Sequence, residues 1–213
     1  MNIYPSLMVV PQQDLSKEIK LLAPYCTGFH IDVMDGIFVP DRFWYDVQHI
    51  NEIIRLAQRV WLHLMVQKPE VFYEQLELSS GSIASFHIES NVDIVSFSKI
   101  IREKKQWASL AIKPKTTIAE IIPLLDVVDH VLIMSVEPGL SGQPFLESTY
   151  KKIDELIAVR DRFNLNVTIG VDGGINKTNT SRLAQQGTDD CAVATGIFRQ
   201  PDHVAALLEL QNN

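Results

Sequence analysis

Short apolar runs of strand length alternate along the chain with longer stretches in which apolar residues recur at helical spacing. The apolar runs predict eight strands, at residues 3–8, 28–34, 60–66, 83–88, 107–112, 130–134, 167–171 and 190–194. The intervening stretches predict helices near residues 12–23, 46–58, 69–79, 92–105, 116–125, 147–163, 177–186 and 201–210. The chain therefore repeats one β/α unit eight times.

This alternation predicts a parallel sheet with helices packed against it. Eight units favour a closed (β/α)8 TIM barrel, and a length of 213 residues makes it a compact one. An open doubly wound sheet is the alternative, but it usually has a glycine-rich turn after its first strand. The first strand here runs without glycine into Val9-Val10-Pro11, which favours the barrel. No linker divides the sequence, so we expect a single α/β barrel domain over residues 1–213.

Composition and charge narrow the ligands that such a barrel could bind. The chain is 46% hydrophobic, which suits a folded core, and its two cysteines are too few for a disulfide scaffold. The N-terminus lacks a leader pattern and no apolar window is long enough for a membrane span, so we expect a cytoplasmic protein with no membrane partner and with free thiols. The formal net charge of −7 argues against nucleic-acid partners. A small anionic ligand would have to be bound locally, by backbone amides or a metal ion.

Two strands carry polar side chains at positions that parallel strands usually fill with apolar residues. Side chains two residues apart share a face of a strand, so His30 and Asp32 lie on one face together with Met34. In the third strand, His63 shares a face with Met65. Each histidine alone also fits a hydrogen-bonded core residue, so the pattern is informative only in combination.

The seventh strand adds Asp172, which directly precedes two glycines. Because barrel active sites lie at the carboxyl ends of the strands, two histidines and two aspartates could converge there on one divalent cation. This donor set suits zinc, iron, manganese or cobalt without choosing among them. Asp32 and Asp172 come from roughly opposite sides of a closed barrel, so they could act as an acid/base pair on the two faces of one substrate carbon. A metal ion there would polarise a carbonyl and stabilise an enediolate.

Loops after the last three strands indicate a phosphate site. Their candidate residues are Gly139, Leu140, Ser141 and Gly142 after the sixth strand, Gly173 and Gly174 after the seventh, and Ala194 and Thr195 after the eighth. Barrels often bind phosphate with backbone N–H groups in this region, and glycine lets the backbone approach a ligand closely. Such a site needs neither lysine nor arginine and so suits an acidic chain.

Several stretches, taken in their order and spacing, resemble the ribulose-phosphate 3-epimerase family over almost the whole chain. They are Pro5-Ser6-Leu7-Met8, His30-Ile31-Asp32-Val33-Met34-Asp35-Gly36 with Phe38-Val39-Pro40, His63-Leu64-Met65-Val66, His87-Ile88-Glu89, Met134-Ser135-Val136-Glu137-Pro138-Gly139 with Gly142-Gln143, and Val171-Asp172-Gly173-Gly174-Ile175. The resemblance implies metal-dependent epimerisation at C3 of a ketose phosphate, D-ribulose 5-phosphate to D-xylulose 5-phosphate, in the pentose phosphate pathway. We also expect a homo-oligomer.

The same resemblance implies roles for individual residues. The metal ligands would be His30, Asp32, His63 and Asp172. The acid/base pair would be Asp32 and Asp172, exchanging roles with the direction of reaction. The substrate contacts would be Ser6, His63, Met34, Met65 and Met134, together with the backbone of residues 139–142, 173–174 and 194–195. The methionines would act as polarisable apolar groups that limit water.

The sequence departs from the family pattern at a few positions. Ile37 replaces a histidine that usually follows the first metal motif, and Asp41 replaces an asparagine. In the phosphate loops, Ser141 and Ala194 replace glycines. None of these positions belongs to the metal set, so we expect the chemistry to be intact, while the departures leave the exact substrate and the phosphate affinity open.

Three alternatives remain at this level. Some stretches, including Gly142-Gln143-Pro144-Phe145, are also similar to allulose-6-phosphate 3-epimerases, which makes a six-carbon substrate the close second to ribulose 5-phosphate. A catalytically silent sugar-phosphate-binding barrel would explain the altered phosphate loops. A phosphate-sugar lyase or decarboxylase would need a lysine in the site, and Lys113 at the end of the fifth strand is the candidate.

Overall fold

The computed structural model describes residues 1–41, 46–139 and 142–212, in which eight parallel strands alternate with helices. The strands are β1 (Asn2–Pro5), β2 (Phe29–Met34), β3 (Val60–Met65), β4 (Ile83–His87), β5 (Trp107–Ile112), β6 (His130–Met134), β7 (Thr168–Asp172) and β8 (Asp190–Val193). The helices are α1 (Leu15–Leu22), α2 (Val47–Ala57), α3 (Pro69–Tyr73), α4 (Ile94–Glu103), α5 (Ile118–Ile121), α6 (Ser148–Phe163), α7 (Thr180–Gln186), α8 (Thr195–Phe198) and α9 (His203–Asn212).

The strands form one parallel sheet in the order β1-β8-β7-β6-β5-β4-β3-β2. Ser6, directly after β1, makes a parallel bridge with His30 in β2, which joins the two ends of the sheet. The (β/α)8 barrel predicted from the sequence is therefore confirmed. Within the described ranges, no helix is both long and apolar enough to cross a membrane.

Alternation along the strands divides the apolar residues into two cores. In β2, Phe29, Ile31 and Val33 belong to the large outer cluster that packs the sheet against the helices. A second cluster fills the barrel and consists of Tyr4, Trp61, Ile83, Ala111, Leu132, Met134, Val136 and Ala192. The barrel interior is thus a packed core, and a ligand can bind only at one of its ends.

Local sequence signals set several helix ends. The side chains of Asp46 and Asp93 accept hydrogen bonds from backbone N–H groups in the first turns of α2 and α4. Thr117 and Glu120 form a reciprocal capping box at the start of α5. Helix α7 ends at Gly187, whose φ of 93° lies in the left-handed region that glycine adopts readily.

Some predicted boundaries are wrong. The first strand was predicted to reach residue 8, but β1 ends at Pro5 because the chain turns into a 3₁₀ segment at Leu7–Val9. The helix predicted near residues 69–79 ends at Tyr73. Beyond it, the Asn51 side chain donates to the Gln75 carbonyl and accepts from the Glu77 N–H, so a tertiary contact holds this backbone outside a helix. The four-residue helix α8 was not predicted.

Candidate active site

Three strands bring four ligand-type side chains together at the carboxyl end of the barrel. His30 and Asp32 lie on β2, His63 lies on β3 directly opposite Asp32, and Asp172 ends β7. One ligand atom from each residue lies within 4.8 Å of the others. The two imidazoles are fully buried, whereas the Asp172 side chain is 17% exposed. The convergence expected from the sequence is therefore present in the structure.

Hydrogen bonds hold these side chains in place. The Ser6 hydroxyl donates to Asp32 Oδ2 at 2.9 Å, and His30 Nδ1 lies 3.2 Å from the same oxygen. His63 Nδ1 lies 3.2 Å from Asp32 Oδ1 and 3.5 Å from Asp172 Oδ2. The His63 imidazole thus bridges the two carboxylates that the sequence predicts to be the acid/base pair.

Charge pairing sets the protonation of this group. Burial alone would raise the pKa of Asp32, but the neighbouring His30 and His63 hold that pKa well below its usual range. Burial alone would lower the pKa of His63, but Asp172 and Asp32 raise it to about 9 through hydrogen bonds and charge. The Asp32 carboxyl is therefore ionised at neutral pH, and a metal ion would compete with a proton for His63.

The donor set fits one divalent cation. Two carboxylates facing one point place two negative charges in a largely buried site, and a divalent cation neutralises them. Imidazole nitrogen and carboxylate oxygen together suit zinc, iron, manganese or cobalt. The residues that could hold the ion are His30, Asp32, His63 and Asp172.

A pocket opens above this cluster and contains most of the predicted substrate contacts. The predicted residues that line it are Ser6, Asp32, Met34, Met65, Met134, Gly139, Gly142, Asp172, Gly173, Gly174, Ala194 and Thr195. His30 and His63 are fully buried and do not line it. Leu140 and Ser141, also predicted to contact the phosphate, lie outside the described residues.

Six further residues, which were not predicted from the sequence, also line the pocket. They are Met8, Val136, Pro138, Gln143, Ile175 and Ala192. Most are immediate neighbours of predicted residues, and the alternation of β6 beyond Met134 would have indicated Val136. Met34 and Met65 are almost fully buried and pack with Val39, which gives the pocket an apolar, polarisable wall.

The loop after β7 packs directly on the loop after β6. A Cβ at Gly174 would lie 2.5 Å from the backbone nitrogen of Phe145, and Gly174 has a φ of +62°. Gly173 has a φ of +115°, and its carbonyl and that of Asp172 accept hydrogen bonds from the Ser135 hydroxyl. Larger residues would separate these loops, so the two glycines keep backbone groups at the pocket wall.

Two residues singled out from the sequence lie away from the pocket. The side chain of Ile37, which replaces the family's histidine, is 74% exposed, and Ile37 is not among the described residues that line the pocket. Lys113 is not among them either, because its ammonium lies 3.9 Å from the ring centroid of Phe38. This position disfavours a mechanism that uses Lys113 as an amine in the site.

Comparison with known proteins connects this geometry to a family. The model of the "Ribulose-phosphate 3 epimerase family" matches residues 2–198. The ribulose-phosphate 3-epimerase of Aquifex aeolicus is 34% identical over 185 residues, covering 86% of this chain and 82% of that protein. The protein of the same name from Synechocystis sp. is 30% identical over 215 residues, covering 99% and 93%. These relatives carry the name of a carbohydrate epimerase.

A solved structure with much lower sequence identity has the same fold. The 3-hexulose-6-phosphate synthase of Salmonella typhimurium superposes with a TM-score of 0.69 over 100% of this chain and 97% of that one, at 13% identity, which shows a shared barrel and no more. The family model, in contrast, matches residues 2–198, and the Synechocystis relative aligns with 99% of this chain. The chain belongs to the ribulose-phosphate 3-epimerase family.

Proposed function

We propose that this protein catalyses metal-dependent epimerisation at C3 of a ketose phosphate, interconverting D-ribulose 5-phosphate and D-xylulose 5-phosphate. The observation that carries the proposal is the placement of two carboxyl groups, Asp32 on β2 and Asp172 on β7, on one pocket with His63 between them. Epimerisation needs one group to remove a proton from a carbon and a second group to return a proton to its opposite face. Carboxylates from two sides of the barrel meet that requirement.

In the proposed mechanism, one aspartate accepts the C3 proton and the planar enediolate receives a proton from the other aspartate. The roles exchange when the reaction runs in reverse. A divalent cation held by His30, Asp32, His63 and Asp172 would supply positive charge that stabilises the developing oxyanions. The Ser6 hydroxyl, which donates to Asp32 Oδ2, orients that carboxylate.

The remaining pocket residues position the substrate and exclude water. Met34, Met65 and Met134 form apolar walls around the reacting carbon, which protects the enediolate from stray proton transfer. Backbone groups of Gly173-Gly174 and Ala194-Thr195, with the loop of residues 139–142, would bind the phosphate. Backbone N–H groups can bind an anion locally although the net charge of the chain is −7.

The defining experiment is a turnover assay with purified protein loaded separately with Fe(II), Mn(II), Co(II) or Zn(II). We expect conversion of D-ribulose 5-phosphate to D-xylulose 5-phosphate, with the metals ranked by rate. No turnover with any metal would reject the proposal. In that case a sugar phosphate that stabilises the protein without solvent-proton exchange at its C3 would support the silent binding barrel.

A six-carbon substrate is the second candidate. Two stretches line the pocket where the phosphate end would lie: Gly142-Gln143, which is also similar to allulose-6-phosphate 3-epimerases, and Ala194-Thr195, in which Ala194 replaces the family's glycine. The same assay with D-allulose 6-phosphate decides between the two by comparing kcat/KM. The expectation of a homo-oligomer stays a prediction, which analytical ultracentrifugation would test.

A further inference from the structure

A line of hydrogen bonds leads from the acid/base pair through β4 to the segment between β5 and α5. His63 Nε2 lies 2.9 Å from His87 Nε2 on β4. On the other side of that ring, His87 Nδ1 lies 3.1 Å from Glu89 Oε2. Both imidazoles are fully buried, and the Glu89 side chain is 25% exposed. The proposed mechanism uses neither His87 nor Glu89.

Glu89 is held as an acceptor. Its Oε1 accepts from the backbone N–H of Lys113 at 3.0 Å and from the Thr116 hydroxyl, both in the segment between β5 and α5. Burial alone would raise the pKa of Glu89, but these hydrogen bonds and His87 lower it to about 2. An ionised carboxylate has no proton to donate. The hydrogen between Glu89 and His87 is therefore carried by His87 Nδ1.

The hydrogen on His87 Nδ1 determines where the other hydrogens between Glu89, His87 and His63 lie. A neutral imidazole has one N–H, and a fully buried imidazole against a second imidazole is disfavoured as a cation. With Nδ1 protonated, His87 Nε2 has a lone pair and accepts from His63 Nε2. His63 therefore donates through Nε2, and in the neutral form of its imidazole, which is the form that binds a metal ion, the lone pair is on Nδ1. Nδ1 is the atom that faces Asp32 and Asp172.

We propose that Glu89 and His87 are positioning residues that fix the tautomer of His63, so that Nδ1 is the nitrogen presented to the metal ion. The inference rests on the proposed function in that it needs a metal ion at His63. Its structural basis is the relay Glu89–His87–His63, whose two ends are anchored by the β5–α5 segment and by the two aspartates. Phe38 packs against the His87 ring with centroids 4.8 Å apart and holds that ring in place.

The variant Glu89→Gln keeps the size of the side chain but should reverse the donor and acceptor in each hydrogen bond from residue 89 to His63. The amide oxygen still accepts from Lys113 and Thr116, so the amide NH2 faces His87 Nδ1 and donates to it. His87 then carries its hydrogen on Nε2, and His63 is forced to place its own on Nδ1, inside the metal site. We expect the Zn(II) affinity of E89Q, measured by competition with a chromophoric chelator, to fall about 10- to 100-fold.

The matched control is Glu120→Gln. Glu120 also accepts two hydrogen bonds near the β5–α5 segment, both from Thr117, but it does not touch His87. E120Q should bind Zn(II) like the wild type. Equal Zn(II) affinity of E89Q and the wild type would overturn the proposal, and so would a wild-type protein that binds no Zn(II).

A spectroscopic measurement on the wild type keeps the inference testable if E89Q fails to fold. In Zn(II)-loaded protein labelled with ¹⁵N-histidine, we expect NMR to report His87 protonated at Nδ1 and His63 protonated at Nε2. A hydrogen on His87 Nε2 would contradict the relay. Neither measurement uses substrate, so a protein that shows both signatures but never epimerises a ketose phosphate would reject the proposed function and leave this inference in place.

Discussion

Two polar layers lie inside the same barrel, and they differ in what their histidines can do. The upper layer consists of His30, Asp32, His63 and Asp172 at the pocket. The lower layer consists of Ser85, Ser109, His130 and Asp190, buried toward the amino ends of the strands. Trp61 lies between the layers, with its ring centroid 5.0 Å from that of His30 and 5.1 Å from that of His130, both edge-on.

The lower layer is a chain of neutral hydrogen bonds. Trp61 Nε1 donates to Ser85, Ser85 donates to Ser109, and Ser109 pairs with His130 Nδ1, each at 2.7 Å. His130 Nε2 has no hydrogen-bond partner among the described residues and lies 3.7 Å from the nearest Asp190 oxygen. No second carboxylate is paired with His130 in the part of the chain that the structure describes.

Opposite pKa shifts follow from this difference. Burial lowers the pKa of both histidines, and in the lower layer it takes that of His130 to about 3. In the upper layer, Asp172 and Asp32 overcome burial and raise the pKa of His63 to about 9. A buried His with a nearby Asp is therefore not by itself a functional site. Two carboxylates converging on one imidazole beside a pocket distinguish the upper layer.

The largest effect should come from removing a carboxylate of the upper layer. Asp172→Asn keeps the size of the side chain but cannot accept the proton, so we expect turnover to fall at least roughly 10²- to 10⁴-fold, with the fold retained by circular dichroism. The control is Asp190→Asn, the same change in the lower layer, which should leave turnover near wild type. An active D172N would remove Asp172 from the mechanism.

A bound metal ion should stabilise the protein, and substitutions in the upper layer, but not in the lower layer, should reduce this stabilisation. Zn(II) at 100 times its Kd should raise the free energy of unfolding by about 2.7 kcal/mol, because it binds only the folded state. Chelation by EDTA should remove this gain and the activity together. Asp32→Asn, which loses a ligand, should show a smaller gain, whereas Ser109→Ala in the lower layer should gain as much as the wild type. Equal gains in D32N and the wild type would place the ion elsewhere.

The lower layer should matter for stability rather than for chemistry. Ser109→Ala leaves His130 Nδ1 buried without its partner, which we expect to reduce the free energy of unfolding by about 1–3 kcal/mol with little change in kcat/KM. Ser98→Ala is the matched control, because Ser98 Oγ is also buried but has no partner among the described residues. Urea unfolding measures both variants. If S98A were as destabilised as S109A, the hydrogen bond would not be the cause.

The last prediction is a pH dependence of stability from His130, which develops gradually as the pH falls. Its pKa is about 3 in the folded protein and about 6.5 when unperturbed, so the unfolded chain takes up the proton first as the pH falls. Stability should therefore decrease as the pH falls through 6.5, with a slope from this residue that approaches about 1.4 kcal/mol per pH unit near pH 5. Urea unfolding of metal-free wild type and His130→Gln between pH 7 and 5 measures it. Equal slopes would show that His130 does not contribute.

Much of the fold and the site could be predicted from local patterns. Apolar alternation in β2 placed His30 and Asp32 on the face opposite Phe29, and the structure places them inside the barrel. Glycines marked the loops that line the pocket. The errors occurred where distant contacts decide. The Asn51 side chain holds residues 75–77 outside a helix, and no signal within that segment indicates it.

Which side chains enter the barrel follows from the sequence alone, because alternation along a strand assigns every second residue to one face. The sequence does not show how far along the barrel axis each of these side chains lies. The ladder runs in register from Asp32 to His63, then to Ser85, Ser109 and His130 on successive strands. Closing a barrel tilts the strands and staggers their pairing, so this same row of partners begins in the upper layer and ends in the lower one. The closure of the sheet therefore places His63 next to two carboxylates and buries His130 on the other side of Trp61.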